Sequence, residues 1–308
     1  MILFNLYTMK LEVVVMMLSF DVGGTFIKWA YVDAYNIIEK GKIPTPQDSF
    51  ESFLNAIEPL VKKFKVEGLA FSLPGTMNKE KTQIFIGGAL SYNNFREFPK
   101  EVSNYFKLPV TMDNDANCAA LAEIELGHLK NSENGVVIVI GTGVGCVYVH
   151  NGEILRGSHG YGGEISIFPT KDLFENSFMD CVFEGSCGLR AFLYKAGIVL
   201  NISNLTGEMF IKLVEQGNEV ACKLLEEYMK QFGNMVFRLQ VVYDPDCMVI
   251  GGGISQNKVF MEWFVKYAQE AFSKCPVPVE FAKIVPSTFY NDANIIGALV
   301  SYHRQREV

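Results

Sequence analysis

The sequence has no uninterrupted apolar run of the roughly 18 residues that a membrane-spanning helix needs, and no low-complexity segment. The G-x-x-x-x-G-K-[ST] pattern occurs nowhere in it. Positive charge is in deficit: 27 Lys and Arg stand against 34 Asp and Glu, a formal charge of -7 that argues against nucleic acid as a partner. There is no C-x-x-C pair. The seven cysteines (118, 146, 181, 187, 222, 247 and 275) are odd in number and scattered among apolar neighbours, which fits cytoplasmic thiols used as small core residues. The four histidines show no metal-ligand spacing. The first ten residues lack the basic start of a secretory signal, and no small-residue cleavage site follows; Met9, Met16 and Met17 are alternative starts. What the chain does have is apolar bulk. Hydrophobic residues make up 49% of 308, enough for one large domain or two moderate ones and too many for disorder.

The most informative stretch is residues 18–32, LSFDVGGTFIKWAYV. An apolar run ends in Asp21, a glycine pair follows, and a second apolar run leaves with no polar helical turn between. That spacing predicts strand, tight turn, strand. Glycine lacks the Cβ that would keep a large anion away from the backbone. Thr25 adds a hydroxyl and Lys28 a positive charge, while Asp21, at the strand end, suits Mg²⁺ or its water shell. The same residues also fit an ordinary glycine hairpin. Repetition separates the two readings. Residues 135–149, GVVIVIGTGVGCVYV, repeat the apolar run, a glycine turn around Thr142 and Gly143, and the outgoing strand, and Asn151-Gly152 then turns the chain again. Two such units point to an internal duplication. A pair of these turns can hold the two ends of a triphosphate, the arrangement of actin-like, hexokinase-like ATPases.

Other segments supply polar chemistry. Residues 49–64 have helical apolar spacing, with Ser49 or Asp48 as cap. Residues 66–72 read as a strand, so Asp21 and Ser72 both fall at carboxyl ends of strands, where ligands gather in mixed α/β sheets. Asn94 lies on an amide-rich loop that suits sugar hydroxyls and equally suits a solvated surface. Asp113, Asn114, Asp115 and Asn117 cluster between a short strand and a helix, with more polar groups than one cap requires. Four glycines within residues 157–163 predict an irregular loop. His159 lies inside it, and Glu164, a carboxylate able to accept two hydroxyl protons from a polyol, stands at its exit. Residues 171–200 and 207–240 read as largely helical, 258–273 as a helix, 277–284 as a strand, and 294–303 as a terminal helix packing on the first half. A buried strand at 247–250 runs into Gly251, Gly252 and Gly253, which would let a purine or its ribose approach the backbone.

Five of these stretches, in this order, resemble the ROK family of bacterial sugar kinases and repressors: Asp21–Thr25 (DVGGT), Asn114–Asn117 (NDAN), Ile140–Gly145 (IGTGVG), Gly160–Glu164 (GYGGE) and Ile250–Gly253 (IGGG). The similarity extends from about Leu18 over nearly the whole chain. It implies an α/β, two-lobed actin-like ATPase (ribonuclease H-like) fold, with a duplicated mixed-sheet core and a cleft between lobes. Residues 12–118 with 294–308 would form the small lobe. Residues 119–293 would form the large one, with the adenosine site and a dimer contact. The implied activity is transfer of the γ-phosphoryl of MgATP to a sugar hydroxyl. Asp115 would be the base, with Asn114 and Glu164 on the sugar and Asn94, His159 and Ser72 beside them. ATP would meet Asp21, Gly23, Gly24, Thr25, Lys28, Thr142, Gly143 and Gly251–Gly253, with Mg²⁺ reached from Asp21 through water or phosphate. A cytoplasmic homodimer is expected, without nucleic acid or membrane partners.

Departures from the family pattern narrow the expectation. Most members carry a histidine just after the glutamate, then a C-x-C-G-x-x-G-C zinc cluster. Here Ile165, Ser166 and Ile167 follow Glu164, and only Cys181 and Cys187 lie in the region, too few for a tetrahedral site; no structural zinc is expected. Arg190 stands where the resemblance places a second sugar-binding glutamate. The lost cluster, together with residues 87–95, is most similar to β-glucoside kinases, which phosphorylate the 6-hydroxyl of a disaccharide's non-reducing glucose. Glucose, fructose, N-acetylmannosamine and N-acetylglucosamine remain alternative acceptors. A sugar-sensing, non-catalytic regulator is the alternative of another class. A repressor would need a helix-turn-helix domain, and about twenty residues before Asp21 are too few for one.

Overall fold

The computed structural model describes residues 16–277 and 280–306. By residue contacts the chain divides into Met1–Met112 and Asp113–Val308.

The first unit contains β1 (Met16–Val22), β2 (Phe26–Asp33), β3 (Asn36–Pro44), α1 (Phe50–Lys63), β4 (Gly68–Leu73), β5 (Thr76–Met77), β6 (Ile84–Ile86), α2 (Phe98–Phe106) and most of β7 (Val110–Asn114). The main sheet runs β3-β2-β1-β4-β7. β1, β2 and β3 form an antiparallel meander, and β4 lies parallel to β1. β1 is central and buried on both faces from Met17 to Val22, which explains its continuous apolar run. β3 is an edge strand and carries the charges Glu39, Lys40 and Lys42 outward. Ser49 caps α1, its Oγ accepting the Ser52 amide at 3.1 Å. The apolar face of α1, with Phe53, Leu54 and Ile57, packs on the sheet in an aromatic core with Phe20, Phe71 and Phe98. The Phe20 and Phe71 rings stack at 4.9 Å.

The second unit contains α3 (Asp115–Leu126), β8 (Asn134–Ile140), β9 (Val144–His150), β10 (Glu153–Leu155), α4 (Phe178–Cys181), α5 (Phe183–Cys187), α6 (Leu189–Leu200), α7 (Gly207–Glu215), α8 (Glu219–Tyr243), β11 (Cys247–Gly251), α9 (Lys258–Ser273), β12 (Lys283–Pro286) and α10 (Ala293–Arg306). Its sheet runs β10-β9-β8-β11-β12. A meander of three antiparallel strands is again extended by two more beside its first strand, with β11 parallel to both β8 and β12. The two sheets therefore share one plan, as the repeated glycine turns predict. α3 and α10 approach so closely that a Cβ on Gly297 would lie 1.7 Å from the Cys118 carbonyl oxygen.

Several sequence expectations shift. The sequence reading divides the chain near residue 118 and gives residues 294–308 to the first lobe; by contacts the division falls before Asp113, and α10 groups with α3. Residues 13–15, read as the start of the first strand, and 307–308 lie outside the described residues, as do the alternative start Met9 and residues 278–279. The segment 171–200 is not one helical run: 171–177 are non-helical, and extended residues Val182 and Gly188 separate α4, α5 and α6. There the backbone pairs sideways instead, Phe183 N–H to Phe168 O at 3.0 Å and Thr170 N–H to Cys181 O at 2.6 Å. Residues 207–240 split into α7 and α8 at Gly217, which has φ +75. Among the described residues the last strand begins at Lys283, and just before it the Ala282 amide is taken by Gln240 Oε1 at 2.9 Å.

Candidate active site

The β1–β2 turn follows Asp21. Sheet register sets Asp21 opposite Lys28 on β2 and Ser72 on β4. Asp21 is 7% exposed. Its Oδ2 accepts from Lys28 Nζ at 3.0 Å and its Oδ1 from Ser72 Oγ at 3.4 Å. Ser72, read as a substrate contact, is instead fully buried, and its hydroxyl serves the Asp21 carboxylate. Lys28 keeps a 41% exposed side chain and an ion pair with Asp21. Inside the turn the Gly23 amide donates to Phe26 O at 3.0 Å, so it is closed to a phosphate. Gly24 and Thr25 are exposed, and their amides donate to no group among the described residues.

The β8–β9 turn is built in parallel fashion. Gly141 N–H donates to Gly143 O at 2.9 Å, and Arg190 N–H, in the first turn of α6, to Thr142 O at 3.2 Å. Thr142 is exposed. A residue that spacing did not flag enters here. Glu184 on α5 accepts the Val144 amide through Oε2 at 2.9 Å, and its Oε1 fills the space a Cβ on Gly143 would need, 2.6 Å away. Gly143 thus makes room for a carboxylate of its own chain. The glycine was the signal, but its partner lies some forty residues on. The triple glycine also divides by role. Gly251 is a buried ladder residue opposite Val139 on β8. Gly252 has φ +89 against the Ile140 backbone, and only Gly253 is exposed.

The junction of β7 and α3 carries the acidic cluster. Asn114 is the helix cap: its Oδ1 accepts the Ala116 amide at 2.9 Å and the Asn117 amide at 3.2 Å. Asp115, half-buried, is the first residue of α3, and its Oδ1 accepts the Ala116 amide at 2.8 Å. A negative charge is favoured at that helix end. Beneath them Asp113, 0% exposed, accepts from the Asn114 amide at 2.9 Å, Asn117 Nδ2 at 3.1 Å and Ser301 Oγ at 2.9 Å. Arg156 Nη2 stands 3.4 Å from its Oδ1.

Arg156 opens the glycine loop, and its carbonyl accepts the Gly162 amide at 3.0 Å. Gly163, at φ +92, presses against the Cys146 carbonyl where no Cβ would fit. Glu164 follows, exposed, with Ser166 Oγ 3.3 Å from its Oε2. It lies near β9: burial pushes the Cys146 thiol well up, and the Glu164 carboxylate adds to the shift. His159 is exposed on the loop. Asn94, exposed in the first unit, uses its Oδ1 to hold the Gly87 amide at 2.8 Å. Among the described residues no three His, Cys, Asp or Glu side chains are grouped to hold a metal ion. Cys181 and Cys187 are buried free thiols.

Known proteins share this sequence and fold. A beta-glucoside kinase from Listeria monocytogenes is 28% identical over 301 residues, covering 94% of this chain and 97% of the relative. A ROK family protein from Streptococcus pneumoniae TIGR4, solved in complex with sucrose, superposes with TM-score 0.85 at 26% identity, covering 95% of this chain and 99% of that one. A ROK family glucokinase from Streptomyces griseus, solved with glucose and AMPPNP, shares the fold with TM-score 0.76 at 20% identity, over 92% of this chain and 98% of that one. The α/β fold, with its two mixed sheets, is that of the actin-like sugar kinases. The ROK pattern matches residues 17–305, and the chain belongs to the ROK family.

Proposed function

We propose that this protein is an ATP-dependent sugar kinase, a phosphotransferase with an alcohol acceptor. It would transfer the γ-phosphoryl of MgATP to a hexose or β-glucoside, at the 6-hydroxyl. The observation that carries the reading is Asp115: a half-buried carboxylate at the start of α3, with Asn114 as cap on one side and the buried Asp113 network beneath. The beta-glucoside kinase relative and the sucrose-bound neighbour favour a glucoside acceptor. The glucose-bound neighbour keeps a simple hexose as the alternative.

In the mechanism the sugar oxygen attacks the γ-phosphorus while its proton passes to Asp115. The bond from phosphorus to the β,γ-bridging oxygen breaks, and ADP leaves. A positioned base contributes about 10²–10⁴-fold; the remainder is placement and charge neutralisation around a loose transition state. Glu164 and His159 bind sugar hydroxyls. Asn114 and Asn94 contribute side-chain amides to the same hydroxyls; the Asn114 oxygen also serves the helix cap, and the Asn94 oxygen also holds Gly87. The backbone amides of the exposed Gly24 and Thr25, and the exposed Thr142, receive phosphate oxygens, and Gly253 faces the adenosine. Asp21 fits a hard cation: it is a carboxylate oxygen donor, and among the described residues it belongs to no group of three His, Cys, Asp or Glu side chains that would form a full protein cage. That suits Mg²⁺ held by one carboxylate and the nucleotide's own phosphates, where the metal supplies charge neutralisation. A cytoplasmic homodimer that needs no zinc completes the reading.

A coupled ADP-release assay over hexoses and β-glucosides tests it, with Asp115→Asn alongside. The variant should lose about 10²–10⁴-fold in kcat while its KM for ATP stays within a few-fold. A near-normal kcat would remove Asp115 from the role. Overnight treatment with a zinc chelator should change neither activity nor circular dichroism.

A further inference from the structure

Three successive carbonyl groups of the first glycine turn are tied to the segment just after β3. Thr45 Oγ1 donates to Gly23 O at 2.7 Å, Gln47 Nε2 donates to Gly24 O at 2.7 Å, and the Thr45 amide donates to Thr25 O at 3.0 Å. The segment is itself braced. Gln47 Nε2 also reaches Thr45 O at 3.0 Å, and Tyr92 Oη donates to Pro46 O at 3.1 Å. Burial, and after it the charge of Asp48, push the Tyr92 hydroxyl up to about 12, so it stays a donor at any working pH.

A trans peptide unit points its carbonyl and its amide in opposite directions. Fixing the carbonyls of Gly23 and Gly24 on one side therefore aims the amides of Gly24 and Thr25 to the other. Those are the two turn amides that donate to nothing among the described residues. Thr45 is 6% exposed and so is placed to hold the turn rather than to touch a ligand. The second turn reaches a similar end by different means: its carbonyls are held by the backbone amides of Gly141 and Arg190. Among the described residues the first turn has side chains on two of its carbonyls, where the second has backbone amides.

We propose that Thr45 and Gln47 are positioning residues that aim the Gly24 and Thr25 amides at the polyphosphate of the nucleotide. This rests on the nucleotide-binding reading above. The test is calorimetric titration of the full chain, without sugar, with MgADP and separately with AMP. The variants are Thr45→Val, Thr45→Ser and Gln47→Leu. Thr45→Val and Gln47→Leu should each weaken MgADP binding about five- to tenfold, the worth of one hydrogen bond. AMP affinity and the KM for sugar should stay within about twofold, and Thr45→Ser should restore MgADP binding. If Thr45→Val does not fold, the exposed Gln47→Leu carries the test alone. Unchanged MgADP affinity in variants of a wild type that binds it would overturn the proposal by itself. Equal losses for MgADP and AMP would overturn it too, since they mark general distortion. A wild type that binds no MgADP would overturn the nucleotide reading, and this proposal with it.

Discussion

Asp113 is fully buried, and its carboxylate gathers the Asn114 amide, the Asn117 amide group, the Ser301 hydroxyl and the Arg156 guanidinium. Asp113→Ala takes the acceptor away from buried donors, which costs about 1–3 kcal/mol. Urea unfolding should show a lower midpoint at unchanged slope. Asp21 is placed differently, with an ammonium and a hydroxyl on its two oxygens. Asp21→Asn keeps the shape and removes the charge. If Asp21 reaches Mg²⁺ as proposed, this should raise the Mg²⁺ concentration needed for half-maximal activity about tenfold or more, read from a metal titration at saturating ATP, with sugar KM little changed. At this scale the sequence was informative about residue type and less so about direction. Ser72 does stand at a strand end beside Asp21, yet spacing cannot say that its hydroxyl is spent on that neighbour. Glu184 escaped notice because its partners, Gly143 and Val144, lie far from it along the chain.

Helices with clear caps and apolar stripes were the most legible elements. α9 runs over Lys258–Ser273 as read, and Asn257 caps it, its Oδ1 accepting the Phe260 amide at 2.9 Å. α1 begins after Ser49 for the same reason. Where backbone groups found long-range partners instead, the periodic pattern misled. Residues 168–170 pair with the chain around Cys181–Phe183 and break what composition reads as one helix. The α3–α10 contact is a packing fact of the same non-local kind. Gly297→Ala would drive a Cβ into the Cys118 carbonyl. The helices must separate, at a cost of about 1–3 kcal/mol or more, and differential scanning calorimetry should show a reduced Tm. If Asp115 is the base, kcat should fall as well, since α3 carries it.

Over the whole molecule the two mixed sheets repeat one strand order, and the pair of glycine turns had announced that duplication. The partner of the terminal helix had not been announced, since nothing in its own residues names α3. Alkaline behaviour is also a property of the whole. Burial, then the charge of Asp246, pushes the Cys247 thiol from 9.0 up to about 11. Tyr92 and Tyr148, again chiefly through burial, rise from 10.0 up to about 12. Each group is neutral when protonated, so the unfolded chain ionises first. The stability they lend is complete below about pH 9 and is lost as pH rises from about 9 to about 12. Thermal melts should show Tm falling through that window, and Cys247→Ala should flatten its lower part. The close seating of α10 on α3 has a consequence for biosynthesis. A ribosome delivers Asp115 and both glycine turns long before Ala293. A nascent chain stalled between Gly253 and Ala293 would hold every candidate group and still lack the surface on which the helix carrying Asp115 settles. Catalysis should then switch on abruptly once translation passes the end of α10, rather than growing with the length already made.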